Sequence, residues 1–215
     1  MPYGFMDIAI TPSVRRAQAE MGADHLWSDF EGHREFGLFG PRERAFIARC
    51  DSFYMASVSE TGWPYVQHRG GPAGFLKVLD DRTLAFADYR GNRQYITTGN
   101  LAADDRVCLF LMDYPRRARL KIYATAETVA LNADPDLSAA VADEAYGARM
   151  ERIFRFHLKA FDWNCPQHIV PRFTEAEVVA GTQILRDRLV TLETKNAHLR
   201  ARLAGRAMTP PVEGS

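Results

Sequence analysis

What the chain lacks narrows its class before any motif is read. It contains no Gly-x-Gly-x-x-Gly and no Gly-x-x-x-x-Gly-Lys-Ser/Thr, so neither the dinucleotide fingerprint nor the NTPase phosphate loop is present. No segment approaches the roughly eighteen apolar residues that a membrane-spanning helix needs. Net charge is missing too: 27 Lys and Arg balance 27 Asp and Glu, without the basic excess of a protein that coats nucleic acid. Cysteine is scarce and odd in number. Cys50, Cys108 and Cys165 are widely and irregularly spaced, which argues against a disulfide framework and against a zinc knuckle. The opening Met-Pro-Tyr-Gly-Phe-Met-Asp has neither the basic region nor the apolar run of a signal peptide, so a cytoplasmic, reducing location is the expectation. What remains is an ordinary globular composition, 47% apolar and 25% charged over 215 residues. That is room for one sizeable domain and an appendage.

Along the chain the hydrophobic period changes repeatedly. Residues 1–40 read as an extension packed on the main domain. Thr11-Pro12-Ser13 caps a helix over about 13–22, and His25-Leu26-Trp27 and Phe36-Gly37-Leu38-Phe39 are apolar islands. A helix is expected over 41–50. Residues 53–58 and 63–69 form a hairpin around Glu60-Thr61-Gly62, and 75–79 pairs with 83–87 around Asp80-Asp81. A helix follows from Asn92 to about 101. The run 106–113 is apolar on both faces and therefore central, and 119–129 is a further strand. Asp134 and Pro135 open a helix to about 148, 151–161 is the last strand, and 174–203 is one long helix. Six or seven closely spaced strands without strict strand–helix alternation predict a mainly β fold with helices, an antiparallel sheet curled into a barrel.

Four segments carry chemistry-bearing groups. Tyr65-Val66-Gln67-His68-Arg69-Gly70-Gly71 ends a strand in polar residues. Strand alternation sends Gln67 and Arg69 to one face and His68 to the other. An arginine on the inner face of an apolar barrel suits a phosphate, whose oxygens match its planar fork. The alternative is a solvated hairpin end. In Phe86-Ala87-Asp88-Tyr89-Arg90-Gly91-Asn92-Arg93-Gln94-Tyr95 a strand turns into a helix whose early amides seat an anion, with Arg90 and Arg93 flanking the turn. The alternative there is a capped helix with two solvated arginines. In Tyr114-Pro115-Arg116-Arg117-Ala118-Arg119-Leu120-Lys121, Arg116 and Arg117 read as a solvated turn, whereas Arg119 and Lys121 share one strand parity and are better placed to face a ligand. In Trp163-Asn164-Cys165-Pro166-Gln167-His168-Ile169, Cys165 and His168 have no third metal ligand nearby, a nucleophilic pair would need an orienting partner and a basic environment, and a pocket-closing loop for a flat heteroaromatic ligand is the better reading.

This order of segments resembles the FMN-binding split barrel of the pyridoxamine 5'-phosphate oxidase class, over roughly residues 41–173. The resemblance implies a six- to seven-stranded split barrel and a homodimer with FMN at the subunit interface. It implies that Arg69, with Asn92, Arg93 and Gln94, binds the FMN phosphate, and that Gln67 and His68 lie near the flavin ring. Trp163, Gln167 and His168 would shape the substrate face, and Arg90 and Arg119 complete the expected cofactor set. Gln94 stands where the oxidases carry lysine, and their C-terminal substrate-recognition ending is absent, so the resemblance is to a subgroup distinct from the true oxidases. The implied activity is FMN-dependent oxidation or reduction of a small molecule. Rival readings are a haem binder with His68, His157 or His168 as axial ligand, a deazaflavin-dependent reductase, and a regulatory module built around the terminal helix.

That helix carries a heptad. Val178, Leu185, Leu192 and Leu199 recur on one seam position, and Thr182, Leu189, Asn196 and Leu203 on the adjacent one. A lone Asn in such a seam favours a registered pair of chains. Arg188 and Glu193 suit an interchain ion pair, whereas Lys195 and Arg200 would repel. The expected divisions are 1–40, 41–173, 174–204 and a disordered tail over 205–215 that includes Pro210-Pro211.

Overall fold

The structure is a computed structural model, and it describes residues 4–26, 37–163 and 166–207. Two compact units divide the chain, residues 1–170 and 171–215. The first unit is built on seven antiparallel strands: β1 (Ser52–Val58), β2 (Pro64–Gly70), β3 (Lys77–Val78), β4 (Thr83–Tyr89), β5 (Arg106–Asp113), β6 (Ala118–Val129) and β7 (Met150–Trp163). Their order across the sheet is β2-β1-β5-β6-β7-β4-β3. The expected mainly β architecture is the one observed.

The sheet is not closed, but it curls. Phe53 on β1 meets Phe86 on β4 edge-on, with ring centroids 5.4 Å apart, although three strands lie between β1 and β4 in the sheet order. Inward-facing Phe53, Met55, Phe86, Leu109, Ile122, Phe154 and Phe156 fill the space so enclosed. Each such side chain contributes about 1.5–3 kcal/mol on burial. Strand β5 lies between β1 and β6, the central position that its two apolar faces require. Strand β4 is buried on both faces. Leu84 and Phe86 point into the main core, while Ala85 and Ala87 pack with Leu137 and Val141 of the helix α5 (Pro135–Val141) and with Ile153. The small alanines let that helix approach the sheet closely.

Among the described residues the other α-helices of this unit are α1 (Phe5–Ala9), α2 (Pro12–Glu20), α3 (Pro41–Ile47) and α4 (Ile96–Ala103). Thr11 caps α2 by accepting from Val14 N, and Asp134 caps α5 by accepting from Leu137 N. Phe5 stacks on Tyr123 at 4.6 Å, which fastens the start of the chain to β6. In the hairpin between β1 and β2, Gly62 takes φ 86°, a conformation that a side chain would strain. The second unit is α6 (Glu175–Ala207), opened by Thr174, whose hydroxyl accepts from Glu177 N while the Glu177 carboxylate accepts from Thr174 N.

Four expectations are corrected. The strand expected over 75–79 is reduced to Lys77–Val78, because Phe75 and Leu76 turn into the core instead of pairing. The helix expected from Asn92 begins at Ile96; Arg93 and Tyr95 have φ of 62° and 53°, which no right-handed helix admits. The helix after Pro135 stops at Val141, once Leu137 and Val141 have supplied its buried face. The long helix continues to Ala207, past the expected end. Trp27 and Phe36, Asn164 and Cys165, and the tail from residue 208 lie outside the described residues.

Candidate functional site

Strand parity places the first two groups. Gln67 and Arg69 stand opposite Met55 and Phe53 in the β1–β2 register and share their inward face; His68, opposite Tyr54, is exposed on the outer one. Arg69 reaches across the gap between β2 and β4. Its Nη1 donates to Asp88 Oδ1 at 2.8 Å, and its guanidinium lies 5.0 Å from the Phe154 ring centroid. Asp88 also faces Arg152 Nε at 3.3 Å. Burial raises the Asp88 carboxyl above its ordinary range, against the pull of Arg69 and Arg152, and burial likewise lowers the Arg69 guanidinium. Both partners are thus shifted toward their neutral forms, so desolvation outweighs the mutual attraction of the pair.

A β-bulge sits beside them. Asp88 pairs with Arg152 but Tyr89 pairs with Met150, which leaves Glu151 as the extra residue and turns it toward the same cleft. Glu151 accepts from the Tyr95 hydroxyl at 3.1 Å and from Arg152 at 3.3 Å, and Arg90 Nε lies 3.8 Å away. Arg93 Nε donates to the Tyr95 hydroxyl at 3.3 Å. Asn92 Oδ1 accepts from Gln94 N and so fixes the turn.

These elements enclose a cleft of about 220 Å³ whose lining includes Gln67, Arg69, Asn92, Arg93, Thr97 and Thr98. Two observations fit an anion there. The Arg69 Nε atom is buried and has no hydrogen-bond partner. Helix α4 starts at the cleft with no side-chain cap and no acidic residue in its first turn, so its early amides are left without such partners. The charged lining, Arg69 and Arg93 against Asp88 and Glu151, is balanced, and Arg90 and Arg152 stand behind it as ion-pair partners of Glu151 and Asp88. The Thr97 hydroxyl donates to Gln67 Oε1 at 2.9 Å, which leaves the Gln67 amide nitrogen free to donate.

The other candidates are placed elsewhere. Gln94 is exposed and does not line the cleft. Arg119, opposite Met112, is half-buried on the outer face of β6, where its Nε has no partner. Trp163 is held by α3: its Nε1 donates to Glu43 Oε1 at 2.8 Å, Phe46 meets it edge-on and Arg42 lies 4.2 Å above it. Gln167 and His168 are exposed in the turn after β7. Burial pushes the Cys50 thiol up to about 12, which removes it as a nucleophile. Among the described residues no three His, Cys, Asp or Glu side chains converge as a metal site would need, and no helix is long and apolar enough to cross a membrane.

The sequence reading missed Asp88, Glu151 and Arg152 as members of the site. Arg152 was open to the same parity argument as Arg69, since it shares its strand face with Phe154 and Phe156. Glu151 was not, because only the bulge turns it inward.

Residues 39–168, which span the sheet and this cleft, match the family model described as pyridoxamine 5'-phosphate oxidase. The chain belongs to that family. No curated protein matches it significantly. Solved structures similar to it include HupZ of Group A Streptococcus, at 14% identity over 63% of this chain and 99% of that one, TM-score 0.47. An FMN-binding protein from Syntrophomonas wolfei matches at 14% identity over 71% and 95%, TM-score 0.40. An F420 reductase matches at 18% identity over 55% and 94%, TM-score 0.41.

Proposed function

We propose that the cleft holds the phosphate of FMN and that the protein is an FMN-dependent oxidoreductase of a small molecule. The observation that carries this reading is the cleft lined by Arg69, whose buried Nε has no partner, together with the uncapped start of α4. With Arg90 and Arg152 engaged by Glu151 and Asp88, Arg69 and Arg93 are the lining cations left to meet a phosphate. Arg69, Asn92 and Arg93 would hold it, with the Thr97 and Thr98 hydroxyls and the first amides of α4. The free Gln67 amide then stands next along β2 to meet the ring. FMN, when bound, supplies the electron-transferring centre, while the protein binds and orients it and sets its polarity.

The proposal extends to a second subunit. A cleft of about 220 Å³ lies below the roughly 300–1,000 Å³ of clefts that enclose a whole drug-sized ligand. It suits the phosphate end, so the tricyclic ring would project beyond it, against a partner copy in a homodimer. The haem reading has less support, because His68 and His168 are exposed, His157 bonds Glu127 at 2.9 Å, and none of the three lines the cleft. A phosphate-bearing deazaflavin would use the same anion contacts as FMN.

The test is the purified protein itself. A flavin absorption spectrum with the mass of FMN in the released cofactor is expected. A Soret band, a deazaflavin mass, or failure of the cofactor-free protein to bind added FMN would each overturn the assignment.

A further inference from the structure

The terminal helix carries a feature that flavin binding does not use. α6 spans 33 residues, about 50 Å of helix at 1.5 Å per residue, and belongs to the second unit. Its seam of Val178, Thr182, Leu185, Leu189, Leu192, Asn196, Leu199 and Leu203 holds the heptad spacing over more than three repeats, and the six apolar members are all exposed. Thr182 is not an interruption. Its hydroxyl donates back to Val178 O at 2.8 Å, which leaves its methyl for the seam. Of the two polar seam residues, Asn196 is the one whose side chain has no such local bond. The side-chain pair Gln183–Asp187 and the apolar Ile184 and Val190 all lie off the seam.

The flanking charges decide between orientations. One flank carries Gly181, Arg188, Lys195 and Arg202; the other carries Val179, Arg186, Glu193 and Arg200. In an antiparallel pair each flank faces itself, so the wholly basic first flank meets only Arg188, Lys195 and Arg202, and Glu193 on the second flank is the one acidic group to offset that repulsion. In a parallel pair the first flank faces the second one turn further on. Arg188 then meets Glu193, and that attraction offsets the repulsion of Lys195 by Arg200. The parallel register also sets Asn196 against its twin, where each amide finds a partner.

We infer that α6 joins two copies of this chain as a parallel, in-register coiled coil, with the Asn196 amides paired across the seam. The occupant of the exposed seam is therefore a second copy of the same helix.

Disulfide trapping of the full-length chain tests this. Leu185→Cys and Leu199→Cys are made separately, oxidised, and the linked peptides identified by mass spectrometry, which sets aside the native cysteines. Each variant is expected to link to its own kind at least tenfold faster than Asp187→Cys, which stands on the far side of the helix. An equimolar mixture is expected to yield almost no 185–199 link. Links that form only in the mixture would show an antiparallel pair and overturn the proposal. Links no faster than those of the Asp187 variant would show that another surface covers the seam, and would overturn it equally. Neither outcome bears on FMN, because cofactor binding is read separately from the spectrum.

Discussion

Arg69 Nη1 lies 2.8 Å from Asp88 Oδ1, so an arginine on one edge strand and a carboxylate near the other end of the sheet order clasp the two sides of the cleft. In the proposed flavoprotein this carboxylate and the FMN phosphate share one guanidinium. Asp88→Asn removes the charge that balances Arg69 and Arg152. Asparagine resembles the protonated carboxyl that burial favours, so without FMN the variant is expected to stay within about 1 kcal/mol of the parent at neutral pH, relief of desolvation offsetting the lost attraction. Added phosphate restores the missing negative charge, so saturating FMN is expected to raise the melting temperature more in this variant than in the parent. Thermal unfolding with and without FMN measures it; equal increments in the two proteins would show that Asp88 and the phosphate do not share Arg69.

The same carboxylate has a signature in pH. Burial raises the Asp88 pKa above the 3.8 of an unperturbed aspartate, so across that window the native state holds a proton that the unfolded state has released. Stability from this group is complete below the unfolded value and is lost as pH rises through the raised folded value. Asp104 has the opposite sign. Arg106 holds it down to about 2 through its side chain and its backbone amide, so its contribution is present above the unfolded value and fades as pH falls toward 2. In urea unfolding from about pH 7 to about pH 3, the parent is expected to gain stability relative to Asp88→Asn and to lose it relative to Asp104→Asn. Two parallel curves would contradict the burial-driven shift of Asp88.

Arg93 offers a cleaner probe of the anion. It is exposed, and its φ of 62° strains any side chain with a Cβ, so Arg93→Ala leaves the backbone cost in place. The free protein is expected to keep its melting temperature. FMN affinity is expected to fall by about 10- to 100-fold, the equivalent of one charge-assisted hydrogen bond. Fluorescence titration with FMN reads the change, and unaltered affinity would remove Arg93 from the phosphate assignment.

Much of this molecule was legible in the chain because its core strands alternate cleanly. Val107, Leu109 and Leu111 face the core, and β5 was bounded correctly at both ends. The same alternation put Gln67 and Arg69 on one face and His68 on the other. Pattern reading failed where the backbone leaves regular geometry. Nothing in Asn92-Arg93-Gln94-Tyr95 announces two left-handed residues, so the start of α4 was placed four residues early. Glu151 enters the cleft through a bulge, which is a property of two strands together and invisible in either one. The bond from the Trp163 indole nitrogen to Glu43, 120 residues earlier in the chain, is likewise announced by no local pattern.

That long-range bond makes the last prediction. Glu43 is buried and uses both oxygens: Oε2 accepts from Gly40 N at 3.0 Å and starts α3, while Oε1 accepts from Trp163 Nε1 at 2.8 Å. Glu43→Ala removes a capping interaction and leaves a half-buried indole N–H unsatisfied, at an expected cost of about 2–3 kcal/mol in equilibrium unfolding. Glu43→Gln keeps one acceptor oxygen and the side-chain length, so it satisfies one donor but not both, and about half of that cost is expected. Trp163→Phe removes the donor instead, leaves the cap intact, and should cost less than Glu43→Ala. A double-mutant cycle between the two positions is expected to return a coupling of about 1 kcal/mol. A coupling of zero would mean that α3 and the end of β7 are held by the packing of Phe46 on Trp163 alone, with the carboxylate serving only the helix start.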